Sequence, residues 1–258
     1  MIRTEYEKIK TIISSLDKKV VAVLLSVTIL QTISWYYTST KYFGQNFQTY
    51  FENSPNVNLY RFLYWFSSDT IVLLLIPVLI IIFLIKEKPS NYGLKAGEFK
   101  LGIKAAIIFS VFVLIINWYV SSLAEFDDTY PLLEDMLYSW RIFIYYEAAL
   151  LVYLIAWEFI WRGFLQFGLE EKFGIYAILV QTLPFVILHN GKPPLETFAA
   201  IIGGIILGYL AYRTRSIFYG VLIHFVMLFS LDLLVVLRYQ HNDYNLGFNS
   251  LLNLFSKL

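Results

Sequence analysis

Long apolar runs alternate with short polar ones along this chain, and the runs have membrane-crossing length. Spans are predicted at about 20–37, 62–85, 101–123, 141–162, 174–190, 196–212 and 216–237. A helix rising about 1.5 Å per residue needs roughly 20 residues to cross a hydrocarbon layer of about 30 Å. The second span carries Asp69 near its start, and the fourth helix runs on toward Leu169. Asn53, Ser54 and Pro55, and then Pro89, Asn91 and Gly93, mark loops. Ahead of the first span, Ile9, Ile12, Ile13 and Leu16 recur at helical spacing among Lys8, Lys10, Lys18 and Lys19. That pattern predicts an amphipathic segment, 1–19, on the membrane surface. Its charged region is too long for a cleaved signal peptide, and no small-x-small site follows. Segment 20–139 holds spans one to three, 140–237 forms a core, and 238–258 is a tail with a weakly amphipathic end. The strict alternation of a barrel strand is absent, so the predicted fold is all-α: a polytopic transmembrane helix bundle of about seven spans.

Composition agrees. The chain is 58% hydrophobic and 15% charged, with a mean hydropathy of +0.62, against about 45–50% and about 25% in soluble domains. Membrane lipids are therefore its first partner. The net charge of +1 gives no basis for nucleic-acid binding. The absence of cysteine removes disulfides, thiolate metal sites and a Cys nucleophile. If all seven spans cross, the basic segments (the N-terminus, 86–100, 162–172 and 213–215) share one side. The acidic loop 124–135 takes the other, which predicts a cytoplasmic N-terminus. No internal repeat and no pair of broken helices points to a transporter. Gly204 and Gly208 form a GxxxG on the sixth span, which lets another helix approach closely.

The candidate chemistry lies on the last four spans. Glu158 and Arg162 share a helix face at i and i+4. They form either a structural ion pair or a tuned base held by a cation. His189 ends the run PFVILHNGKPP, where a lone His also suits an interface. His224 lies about eight residues into its span and needs a partner or a wet cavity. Counting from span ends puts His189 about 10 Å nearer the outer face than His224. Asp232 sits about 12 Å beyond His224, able to line the same cavity without touching it. Glu147, about 16 Å from Glu158, reads as a vestibule residue. Glu196 opens the sixth span, where the helix dipole alone accounts for it. One Glu and two His can activate water in two ways. Glu158, His189 and His224 can hold Zn²⁺, whose bound water has a pKa of about 7. Alternatively, Glu and His deprotonate water directly. No HExxH spacing marks a zinc site.

Four segments in order, EFIWRG (158–163), FVILH (185–189), GGIILG (203–208) and RTRSIFYGVLIH (213–224), resemble the CPBP family of intramembrane proteases. This family is also called CAAX-protease or Abi. The resemblance covers about 140–237. It implies a site inside the membrane, open to the cytoplasmic leaflet, and peptide-bond hydrolysis, which in eukaryotic relatives follows a prenylated cysteine. Bacterial relatives are linked to bacteriocin self-immunity, and a bacterial plasma membrane is the implied location. Glu158, Arg162, His189 and His224 fall on motif positions. In this reading Glu158 and His189 activate water, Arg162 orients Glu158, and His224 binds metal or stabilises the oxyanion. Asp232 and Glu196 are accessory candidates, Zn²⁺ the implied metal, and a membrane-associated or lipidated peptide the implied substrate. Two positions depart from the motif. Trp157 stands where the family usually has the first of two glutamates, and Leu228 where it commonly has Asn. Either Glu158 and Asp232 have taken over these roles or the chain is an inactive scaffold or immunity-type binding protein.

Overall fold

The computed structural model describes residues 2–256; Met1 of the surface segment and Lys257 and Leu258 of the tail lie outside the described residues. Among the described residues there are helices and no strands. Helix α1 (Ile2–Ser15) is separated from α2 (Lys18–Thr38) by Asp17, whose carboxylate caps α2 by accepting from the backbone N–H of Lys19 and Val20. Helices α3 (Val57–Ile85) and α4 (Phe99–Val120) follow, then α5 (140–173) and α6 (Ala177–Ile187). The chain ends with α7 (Pro194–Thr214), α8 (Phe218–His241) and the short α9 (Phe248–Phe255).

Six runs are long and apolar enough to cross a membrane, one of them Trp140–Ile187, with 48 residues. At about 1.5 Å per residue that run would measure about 70 Å, more than two bilayer cores. It folds back instead. Gly174 leaves the helix at φ +55°, and α6 packs against α5 over 159–173. The expected fourth and fifth spans are thus the arms of one hairpin, and the bundle is an integral membrane protein in which six runs, not the expected seven, can cross: the 11 residues of α6 measure about 16 Å, too short for a full pass. The segment expected as loop to residue 60 carries a further short helix, Thr40–Asn46, and α3 starts at Val57. An aromatic-rich stretch without a clear period gives little warning of a helix.

Burial grades the passes. Only 11% of the apolar window of α4 is buried, against 61% of that of α8. Helix α8 therefore runs through the middle, packed on α4 and α5, while α3 lies along α5 and α7 along α6. Large apolar side chains such as Leu25, Ile29, Phe83, Ile107, Phe112 and Ile115 face outward, as lipid contact requires. Asp69, expected near a span end, is fully buried within α3. Its carboxylate accepts from Thr38 Oγ1 at 2.5 Å and from Trp65 Nε1 at 2.8 Å.

The GxxxG of α7 works as expected, with an added polar element. Thr182 and Phe185 lie against Gly204, and Gln166, Gln181 and Ile178 against Gly208. Gln181 Nε2 donates to the Gly204 carbonyl and Gln166 Nε2 to the Gly208 carbonyl, both at 2.9 Å. The missing Cβ atoms let both glutamines reach the α7 backbone.

Candidate active site

Glu158 sits in the middle of α5, where the helix widens to π-type turns over Phe159–Leu165. Such widening is frequent at functional sites. Glu158 and Arg162 are both 0% exposed, and Arg162 Nη1 donates to Glu158 Oε1 at 3.1 Å. The same oxygen accepts from His224 Nδ1, on α8, at 2.9 Å. The i,i+4 pair is thus formed, and His224 joins it across the helix boundary. Because a carboxylate only accepts, His224 carries its proton on Nδ1 and turns Nε2 away from Glu158. The guanidinium of Arg162 also lies 4.0 Å from the centre of the Phe185 ring, a cation–π contact that is stronger in a desolvated setting.

Glu158 Oε2 is buried and has no hydrogen-bond partner. What lies beside it is Gly220, one turn before His224. A Cβ there would come within 2.8 Å of Oε2. The missing Cβ of Gly220 therefore lets the free oxygen lie close against α8. It lies within the RTRSIFYGVLIH segment, but glycine in an apolar helix carries no chemical signal, and only the cross-helix contact reveals its place.

His189 is half-buried just beyond α6. Its Nδ1 lies 2.7 Å from the Phe185 carbonyl. A carbonyl only accepts, so Nδ1 is the donor, and in the neutral ring Nε2 keeps the lone pair. The Phe185 ring centre is 4.6 Å from that of His189 and 6.4 Å from that of His224. The two histidines thus both lie against one phenyl ring, closer together than separate spans would suggest. Helix α6 has only 11 residues and starts after the Gly174 turn. Phe185, at the head of FVILH, gathers Arg162, His189 and His224 around one ring.

The accessory candidates lie elsewhere. No hydrogen bond or ion pair among the described residues joins Asp232 or Glu196 to Glu158, His189 or His224. Glu196 accepts from Tyr130 Oη at 2.8 Å and faces Lys192 Nζ at 3.5 Å, so side chains, not only the helix dipole, account for it. Lys192 Nζ also donates to Tyr130 Oη at 2.5 Å. Burial, and then the Glu196 carboxylate, hold the Tyr130 phenol far above its ordinary pKa, so it remains a donor. Asp232 pairs with Glu147, as described below.

The two motif departures are packed as apolar residues. Trp157 touches both large cores, with ring centres 5.9 Å from Tyr153, 5.7 Å from Trp161 and 6.2 Å from Phe185. Leu228 packs into the second core. Asp232, one turn beyond Leu228, makes no hydrogen bond or ion pair with Glu158, His189 or His224 among the described residues.

Of the donors expected for Zn²⁺, Glu158 Oε2 and Nε2 of both histidines are unengaged, each histidine's Nδ1–H being held by an oxygen as in metal sites. As arranged they are not gathered: the described residues contain no group of three or more His, Cys, Asp or Glu placed to hold a metal ion.

Comparison with known proteins adds one finding. Residues 138–230 match the family model described as type II CAAX prenyl endopeptidase, Rce1-like. No curated protein and no solved structure matches the chain.

Proposed function

We propose, for a chain whose residues 138–230 match the type II CAAX prenyl endopeptidase family model, that the Glu158 cluster hydrolyses a peptide bond inside the membrane. The family itself supports a protease of CAAX type; the assignment of roles below is ours. One observation carries it: a buried carboxylate with one oxygen fixed by Arg162 and His224 and the other free beside Gly220.

Glu158 Oε2, or His189 Nε2 beyond Phe185, takes a proton from water as the water oxygen attacks the carbonyl carbon. The carbonyl oxygen gains the negative charge, and His224 Nε2, facing away from Glu158, donates to it when the ring is protonated. The C–N bond then breaks and the abstracted proton passes to the leaving amine. Water and peptide give one acid and one amine. Arg162 holds Glu158 ionised and in place.

A groove of about 490 Å³ opens between α2 and the α5–α6 hairpin, lined by Leu24, Val27, Trp161, Leu165 and Leu183, with Pro184 and Leu188 next to Phe185 and His189 in the chain. Its apolar walls suit the lipid of a lipidated, membrane-associated peptide. We place the chain in a bacterial plasma membrane with its N-terminus in the cytoplasm, from the basic loops. The test is cleavage of a quenched fluorescent peptide library by purified protein, wild type beside Glu158→Gln and His224→Ala. Cleavage lost in both variants supports the enzyme; a folded wild type that cuts nothing while Glu158→Gln keeps its biological effect overturns it. That second result favours an inactive scaffold or immunity-type binding protein, the reading to which the packing of Trp157 and Leu228 lends weight.

A further inference from the structure

Glu147 on α5 and Asp232 on α8 are each only 3% exposed. Counted from the Glu158–His224 contact along two antiparallel helices, they lie at one depth, where each carboxyl acts on the other. Both oxygens of Glu147 and Oδ1 of Asp232 are buried without a hydrogen-bond partner. Among the described residues no ion pair reaches either group. Ionised carboxylates only accept, so two of them face to face in an apolar bundle repel and leave both unsatisfied. The groups facing them are the Tyr130 and Tyr146 hydroxyls and, farther off, Lys192 and Glu196. The ammonium of Lys192 is already shared between Tyr130 and Glu196. A metal ion would need about six oxygen ligands, and no third acidic or imidazole group joins the pair.

We propose that Glu147 and Asp232 form a proton-binding site, one carboxylic acid donating its hydrogen to the other's carboxylate across the α5–α8 boundary. A single proton turns two facing acceptors into a donor and an acceptor and removes one of two buried charges. The site is a second clasp between the helices that Glu158 and His224 join, and it stands whether or not the Glu158 cluster is hydrolytic.

Infrared spectroscopy of the full chain in nanodiscs at neutral pH tests it. Wild type is expected to show a protonated-carboxyl band, shifted in D₂O, that the double variant Glu147→Gln/Asp232→Asn lacks. The double variant should unfold within a few degrees of wild type, because paired amides also donate and accept. A band of equal strength in both proteins overturns the proposal. So does an unfolding temperature that added sodium or magnesium ions raise in wild type and not in the double variant, since a cation would then be the ligand. Should the double variant not fold, Asp232→Asn alone must remove or move the band, and an unmoved band overturns the proposal equally.

Discussion

The two places where acidic groups cross between α5 and α8 solve the same problem differently. At the Glu158 cluster a full positive charge sits against the carboxylate, and a histidine adds a second donor to the same oxygen. At the Glu147–Asp232 pair no cation is in contact, and the two carboxyls face each other. The first arrangement keeps an ionised group with a free oxygen, which chemistry needs. The second is satisfied by a proton and serves to hold helices together. Buried acid alone therefore does not mark a catalytic site. The counter-charge and the unpaired oxygen against Gly220 are what set the Glu158 cluster apart and carry our proposal.

The largest effect should come from removing that counter-charge. Arg162→Ala strands Glu158 in the core and is expected to cost about 3–5 kcal/mol, read as loss of the folded species in thermal unfolding. Next, His189→Ala, outside the ion pair, should keep the fold and lower kcat/KM by about 10²–10⁴. Glu158→Gln should do the same per folded molecule. Normal turnover in either would show that the base lies elsewhere. Gly220→Ala places a methyl 2.8 Å from Oε2. Displacing the carboxylate or its water by about an ångström should reduce turnover roughly 10²-fold, with far-ultraviolet circular dichroism unchanged. Chelation followed by Zn²⁺ is expected to leave cleavage unaltered, because no three such groups are gathered as a metal site among the described residues. Loss on chelation and recovery with zinc would mean that Glu158, His189 and His224 regroup around a metal. The smallest effect belongs to the other region: Glu147→Gln keeps a donor for Asp232 and should shift stability by within about 1 kcal/mol in urea titrations. If it instead matched Arg162→Ala, the contrast between the two regions would collapse.

Much of this was legible in the chain. Apolar run length gave six crossing runs but overcounted the 11-residue α6 as a span, and i,i+4 spacing gave Glu158 with Arg162, because both rest on local geometry. The pairing of Glu147 with Asp232 was almost within reach. Glu147 precedes Glu158 by 11 residues and Asp232 follows His224 by eight. Since α5 and α8 run in opposite directions, both offsets lead toward the same end of the bundle. What sequence does not supply is the rotation of each helix about its axis, which decides whether residues at one depth meet. The same gap hid Gly220 and the approach of His189 and His224 to one phenyl ring. Trp157 and Leu228 were legible as departures, but only their packing shows that the space was closed with apolar bulk.

The glutamine contacts on α7 limit how this bundle can breathe. Gly204 and Gly208 act as two notches one helical turn apart, with Gln181 and Gln166 as the pawls. Sliding α7 by one turn, about 5.4 Å, would drive Tyr212 into the seat of Gly208 or Ala200 into that of Gly204. The helix is indexed like a ratchet locked in both directions. Piston travel of α7 is closed to this molecule, and any opening that admits a polypeptide has to come from its neighbours swinging aside.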